Sequence, residues 1–332
     1  MIEKKYNQIQ RKLLKSEFNR NVLTLMTGTI IAQAIPIAIT PILTRIYTPE
    51  DFGIFMLFVS ITAILSSIAN GRYELAIMLP EKDEDAINVA ALGLLIAVTF
   101  SFILLLPTLI FNQSIANLLG NEEIGFWLYF VPFVVFMTGL FNVLNYLNTR
   151  KKLYKDIAKA NVYKSVGMAS VQLGVGFVKS GAMGLISGQI ISQVIANYRL
   201  AKNAQQNYDL KKIKKTEIKR LAKRYIKFPK FSMWGILANN LGYNLTNILI
   251  SIYYSVATLG LYFLAQRMLS IPASFIGKSI QEVYFQEATK EKQKTGKVIN
   301  TFNKSSKKLF ILSVTIFTPL YLLIPMIFEF VF

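Results

Sequence analysis

Long apolar stretches alternate along this chain with breaks that are by turns strongly basic and almost uncharged. About 20 apolar residues cross the hydrocarbon core of a bilayer. Inside lipid a helix satisfies its own backbone hydrogen bonds, so the pattern predicts helices that thread a membrane repeatedly. Lys and Arg collect in short cytoplasmic loops, which sets the direction of threading. The expected spans are about nine, at 21–45, 52–72, 86–111, 124–147, 157–179, 182–201, 231–254, 256–280 and 308–332. The N-terminus then lies inside and the C-terminus outside. The inner breaks hold Lys4, Lys5, Arg11, Lys12 and Lys15, then Arg72 to Lys82, then Arg150, Lys151, Lys152 and Lys155. Arg199 to Lys230 and Lys278 to Lys308 complete that side. Lys164 and Arg267 count with it, although both positions fall within spans. Arg45 and Lys179 are the outer cations.

The chain is 53% hydrophobic and 17% charged, far from the balance of a soluble domain. A net charge of +19 would ordinarily raise nucleic acid as a partner. Here the charge is dealt out among loops that face anionic lipid headgroups, so membrane lipids are the expected partner and nucleic acid is not. The first 20 residues are polar and basic, with no apolar run before a cleavage site. The first span is therefore expected to be its own insertion signal. There is no Cys and no His, which excludes disulfides, thiol and imidazole catalysis and the commonest metal ligands. No metal, no other cofactor and no enzymatic activity are expected. Gly277-Lys278-Ser279 invites a phosphate-loop reading, but Pro272 stands where that loop needs its first Gly. The Lys- and Ile-rich composition suggests a bacterial inner membrane.

The domains expected are a six-helix lobe over 1–201, a basic cytoplasmic linker over 202–230 and a three-helix partial lobe over 231–332. In the linker Ile213, Ile218, Leu221 and Ile226 are spaced among Lys and Arg. Two readings stand side by side for it, an amphipathic helix on the inner membrane surface and a solvated linker. Pro36, Pro41, Pro107, Pro132, Pro272, Pro319 and Pro325 fall inside spans, where proline can bend a helix. Gly184, Gly188 and Ser192 stand four apart, a small-residue seam for close helix packing.

Lipid penalises polar side chains, so polar residues at helical spacing should face protein or water. Four spans carry such stripes: Thr29, Gln33, Thr40 and Thr44; Thr138, Asn142, Asn145 and Thr149; Asn240, Asn244 and Asn247; Arg267, Ser270, Ser274 and Lys278. Interhelical hydrogen bonding accounts for any one of them. Four together favour a shared hydrophilic cavity. Arg267 lies about eleven residues into its span, where an Arg costs on the order of 3 kcal/mol on insertion scales. The only acid within the spans is Glu329. A contact to an anionic group gives Arg267 a purpose, since a guanidinium binds phosphate through two parallel hydrogen bonds. Arg45 and Arg72 sit at span ends, where snorkelling explains either. Glu74 is close enough to Arg72 for a local ion pair. Glu81, Asp83, Glu84 and Asp85 precede the third span, where carboxylates suit a helix start.

Four segments carry a family resemblance. They are Pro41-Ile-Leu-Thr-Arg-Ile-Tyr-Thr-Pro-Glu-Asp-Phe-Gly53, Gly71-Arg-Tyr-Glu-Leu-Ala-Ile-Met-Leu-Pro80 with Asp85-Ala86, Phe228-Pro-Lys-Phe-Ser232, and Gly260-Leu-Tyr-Phe-Leu-Ala-Gln-Arg-Met-Leu-Ser-Ile-Pro272. Together they resemble the Wzx-type O-antigen and capsule flippases of the multidrug/oligosaccharidyl-lipid/polysaccharide (MOP) exporter superfamily. The resemblance implies an all-α, MATE-like bundle of two lobes rocking around a central cavity. It implies a cargo of oligosaccharide on undecaprenyl pyrophosphate, flipped across the bacterial inner membrane for O-antigen, capsule or exopolysaccharide synthesis. Polysaccharide polymerase and chain-length enzymes would be neighbours in that pathway. A cationic cavity suits the diphosphate, and the chemistry of that group nominates Arg267, Arg45 and Arg72 as its contacts. Gln33, Asn240, Asn244, Asn247 and Ser270 are the polar candidates beside them. Relatives have twelve or more spans, so this chain is expected to be a truncated product or part of a longer one. The rival readings are a drug/cation antiporter of the same superfamily and an inactive remnant. Antiporters rely on membrane-embedded carboxylates, which the first eight spans lack. A polymerase or glycosyltransferase would need larger outer loops or catalytic acids.

Overall fold

A computed structural model describes residues 24–179 and 181–331, and the tail with Lys4, Lys5, Arg11, Lys12 and Lys15 lies outside them. Among the described residues there are helices and turns and no strand. The first six long helices are α1 Thr24–Ile46, α2 Pro49–Ser66, α3 Asp83–Ile110, α4 Val131–Arg150, α5 Tyr154–Gly176 and α6 Met183–Asn207. The short α7, Lys215–Arg224, precedes α8 Met233–Tyr253, α9 Val256–Thr295 and α10 Ile299–Val331. Helices α1 to α4 and the stretch Ile299–Leu323 of α10 are long and apolar enough to cross a membrane. The protein is therefore an all-α polytopic membrane protein. Helices α5, α6, α8 and α9 stand where the sequence pattern expects further spans, and each is at least 21 residues long. They carry more polar residues than lipid alone favours.

Local chemistry sets the breaks. Pro41 has no backbone N–H and its ring crowds the carbonyl four residues back, so α1 is interrupted at Ile39. The Thr40 hydroxyl donates to the Pro36 carbonyl at 2.8 Å beside that break. Thr48 and Asp51 form a capping box at the start of α2, with Pro49 in the first turn. The span expected at 124–147 is two pieces, Ile124–Leu128 and then α4, which opens with Pro132 in its first turn. The eighth span continues far past its expected end. At 40 residues α9 is about 60 Å long, twice the bilayer core.

The chain divides into two compact units, one ending at Gly260 and one running from Leu261. In the first, α5 and α6 lie side by side, α4 packs on α3 and α6, and α2 lies between α4 and α8. Small residues bring these helices close. A Cβ at Gly188 would stand 2.7 Å from Gln172 Cγ and 3.0 Å from the Met168 carbonyl oxygen, so the seam on α6 is a packing surface against α5. The Tyr47 hydroxyl crosses to the Gln172 carbonyl at 2.5 Å and ties the end of α1 to that pair. At the opposite contact Gly53 of α2 meets the backbone of Val256, and Gly260 meets the Pro49 carbonyl, with no room for a side chain.

Within segment 202–230 the apolar residues divide between protein contact and exposed surface. Its helix α7 docks on protein. Leu221 is fully buried and Tyr225 nearly so, in one cluster with Tyr73, Ala76, Ile77 and Ala86, with Ile218 and Ala222 packed against it. The Tyr73 hydroxyl donates to the Ala222 carbonyl at 2.9 Å. Ile213 and Ile226 remain exposed. The acidic group in the first turn of α3 makes no side-chain cap but holds this assembly together. Arg150 Nε donates to Asp83 at 2.9 Å and its Nη atoms reach the Ile77 and Glu81 carbonyls. Lys151 bonds the other Asp83 oxygen, Lys212 bonds Glu84, and Arg220 bonds Asp85.

The second unit holds the rest of α9 and α10, turned back at Gly296 with φ 71. Glu291 accepts from the backbone N–H groups of Asn300 and Thr301 at 3.1 and 2.7 Å, capping the start of α10 with a carboxylate. Lys304 stands 3.8 Å from Glu287 across the same turn.

Candidate substrate-binding residues

Gln33, Arg45, Arg72, Asn240, Asn244 and Asn247 belong to the first unit, and Arg267 and Ser270 to the second. Gln33 is exposed on α1, about one turn before Pro36. Arg45 is exposed in the last turn of the same helix, where a cation suits the dipole. The three asparagines of α8 part company. Asn240 and Asn244 are half-buried and donate to carbonyls of their own helix, Ile236 and Asn240, at 3.0 and 2.9 Å. Asn247 is buried and donates to the Ser60 hydroxyl of α2 at 2.9 Å. One turn on, the Ser251 hydroxyl donates to the Leu119 carbonyl at 2.7 Å. The end of this stripe is thus an interhelical contact, while its start is half-exposed and bonded within its own helix.

Arg72 sits in a turn of unusual backbone. Gly71 and Arg72 both have positive φ, 58° and 63°. Glycine enters that region freely, but an arginine there crowds its Cβ against a carbonyl oxygen. What holds it is an ion pair: Arg72 Nη1 lies 3.1 Å from Glu74 Oε1. Glu74 is only 3% exposed. Burial pushes its carboxyl above the usual range, against the pull of Arg72. The pair is incompletely bonded, since Arg72 Nε and Glu74 Oε2 are buried without hydrogen-bond partners. Asn145 Oδ1 on α4 is in the same condition. A diphosphate at Arg72 would compete with a carboxylate already in place.

In the second unit Arg267 is half-buried on α9, its guanidinium carbon 5.9 Å from the centre of the Phe263 ring one turn earlier. Ser270 is exposed and donates to the Arg267 carbonyl at 3.0 Å. The side chains of Ser274 and Lys278, which continue this stripe, lie outside the described residues. Eleven residues separate Arg267 from the start of α9, a rise of about 17 Å. Two features escape motif reading: the burial of Glu74, and the cation Lys164, which stacks on Phe141 at 5.0 Å. A signal for the first was available in the Arg72-Tyr73-Glu74 spacing; for the second it was the lone Lys in an otherwise uncharged stretch of α5. An open apolar groove of about 310 Å³ between α3 and α4, lined by Val98, Phe102, Leu105, Tyr129, Pro132 and Phe133, suits hydrocarbon and not sugar.

Compared with protein families, residues 42–332 match the model described as polysaccharide biosynthesis protein. The chain belongs to the polysaccharide biosynthesis protein family. Comparison with curated proteins and with solved structures gave no match. The polysaccharide biosynthesis family match takes in the first compact unit from residue 42, the whole of the second, and all the candidate residues except Gln33. Among the described residues no group of His, Cys, Asp and Glu could hold a metal ion.

Proposed function

We propose that this protein is a flippase, moving lipid-linked oligosaccharide from the inner to the outer leaflet of a bacterial cytoplasmic membrane for surface polysaccharide synthesis. The observation that carries the reading is the family match over 42–332 on a chain built of long helices, five of them suited to cross a bilayer. A polysaccharide-biosynthesis chain of that make-up has a membrane to act across. The cargo proposed is an undecaprenyl-diphosphate oligosaccharide, because a guanidinium placed well inside a long helix suits a charge that must cross the bilayer. Arg267 is the contact proposed for the diphosphate; Asn240, Asn244 and Gln33 are separate polar candidates for sugar hydroxyls. Arg45 meets the anionic group at the membrane face. Transport of this kind makes and breaks no covalent bond. The polymerase and chain-length enzymes of the pathway act on what it delivers.

The test is reconstitution. Purified protein in liposomes should bring a lipid-linked oligosaccharide from the inner to the outer leaflet, where an added glycosidase or lectin reads it. In cells, loss of the gene should remove surface polysaccharide and leave lipid-linked units uncapped on the cytoplasmic leaflet. Unchanged surface polysaccharide in the deletion strain, with no movement in liposomes, would sink the reading.

A further inference from the structure

Helices α3 and α4 run antiparallel and touch over part of their length only. A Cβ at Gly93 would stand 3.3 Å from Val143 Cγ2, and one at Gly139 would stand 3.0 Å from the Ala97 Cβ. This register sets Ser101 level with Val135, and Leu105 level with Val131, the first residue of α4. Gly93, Ala97 and Ser101 stand four apart, on one side of α3. The first two meet α4 directly; beside the third lies the open groove of about 310 Å³, lined also by Phe102, Leu105, Tyr129 and Phe133. From Val98 to Leu105 it runs about 10 Å along α3. Phe102, Tyr129 and Phe133 are exposed on two helices suited to cross a bilayer, so the groove opens toward lipid.

Ser101 is the polar exception in this lining. It is 8% exposed, and its Oγ is buried with no hydrogen-bond partner. Two turns on, the Thr108 hydroxyl donates to the Leu104 and Leu105 carbonyls, the ordinary arrangement for a hydroxyl in a helix. Ser101 lies about 6 Å below the end of α4, where hydrocarbon offers a hydroxyl nothing to bond. The groove therefore calls for a molecule that is mostly hydrocarbon and carries one acceptor near its top. Charge at the mouth narrows the choice. No Lys or Arg occurs between Lys82 and Arg150, while the turn joining the two helices carries Glu122 and Glu123, both exposed. An anionic headgroup would meet two carboxylates there and no counter-charge.

We propose that this groove binds a zwitterionic glycerophospholipid of the leaflet on the side of the α3–α4 turn, the outer leaflet in the threading that the basic breaks predict. One acyl chain lies along the groove, its ester carbonyl accepts from the Ser101 hydroxyl, and its ammonium headgroup is drawn to Glu122 and Glu123. The ester carbonyl sits at the edge of the hydrocarbon, which is the level of Ser101. A polyprenyl chain offers no acceptor at that level, and a diphosphate above it would face the acidic turn. Such a lipid site stands whether or not the protein flips lipid-linked oligosaccharide.

The experiment is photolabelling of the purified full chain in nanodiscs by phosphatidylethanolamine with a diazirine near the top of one acyl chain, the label being mapped by mass spectrometry of peptides. Label should concentrate on 98–105 and 129–136. Unlabelled phosphatidylethanolamine should displace it about threefold better than phosphatidylglycerol, the scale of one headgroup charge near a membrane surface. Undecaprenyl diphosphate should not displace it. Ser101→Ala should lower labelling of the two segments by about threefold to tenfold, the scale of one hydrogen bond. The paired Glu122→Gln and Glu123→Gln variant should erase the preference for phosphatidylethanolamine. Melting temperatures show that the variants are folded, and the charge variant, confined to an exposed turn, tests the headgroup by itself. Label spread evenly over the lipid-facing helices would overturn the site, since bulk lipid alone produces that. Displacement by phosphatidylglycerol or undecaprenyl diphosphate equal to that by phosphatidylethanolamine would overturn the proposed occupant. Unchanged labelling in folded Ser101→Ala would overturn the ester contact and the proposal with it.

Discussion

At Glu74 burial and charge oppose each other. Its carboxylate is nearly sealed from water, and its partner Arg72 leaves one oxygen unbonded. Because its pKa in the folded state is raised, the folded protein binds more protons than the unfolded one between the ordinary carboxylate value and the raised value. This group's contribution to stability is therefore fully present at low pH and is lost as pH rises through the folded pKa. Thermal unfolding in detergent across that window should show the difference between wild type and Glu74→Gln changing with pH, the wild type losing ground as pH rises. A pH-independent difference would contradict the burial argument. Arg267 carries the second prediction at this scale. Arg267→Ala should abolish most transport with the protein still inserted at normal level, whereas Arg267→Lys keeps the charge, loses the planar fork and should retain partial activity. Surface polysaccharide read beside a membrane immunoblot checks it, and full activity in the Ala variant would make Arg267 structural.

Among the elements, α7 shows what a sequence pattern conveys and what it withholds. Of the apolar residues spaced through the linker, Ile218 and Leu221 face protein from a helix, while Ile213 and Ile226 lie outside that helix and are exposed. What that face meets depends on Tyr73, Ile77 and Ala86, more than 130 residues away along the chain, and no local pattern carries that information. The same holds on α8, where regular spacing groups Asn240, Asn244 and Asn247 although only the last reaches Ser60. Periodicity says which residues share a side of a helix; the packing partner decides whether that side is cavity or contact. Truncating Leu221 to Ala should cost about 2–5 kcal/mol, as for other fully buried leucines. Its melting temperature should fall, and trypsin should cut faster after Lys219 and Lys223, which flank the site. Arg220→Ala, which removes an exposed partner of Asp85, should change the melting temperature far less than Leu221→Ala does. Equal protection of Leu221→Ala and wild type would mean that α7 is not docked in solution.

For the whole molecule the apolar segments were the legible part. Hydrophobic length alone located the long helices, because a bilayer imposes one length on every span. Helix ends were less legible, since a helix such as α9 runs on past the lipid wherever its residues favour helix. The candidate site was legible as residue types and not as an arrangement, because contacts such as Arg72–Glu74 and Lys164–Phe141 depend on side-chain burial. Threading follows from the basic breaks, and it gives the last prediction. A reporter placed after residue 215 should behave as cytoplasmic and one placed at Tyr254 as periplasmic. The reverse at either point would refute the orientation. The length of α9 matters in practice as well. About half of its 60 Å exceeds what the hydrocarbon core covers, and its end is fastened to α10 through Glu291. A small membrane protein inside a detergent belt usually offers an electron microscope few landmarks. A fastened helical hairpin standing clear of the belt would serve as a fiducial for aligning particle images, and Lys292, exposed near its tip, is a natural place to attach a label.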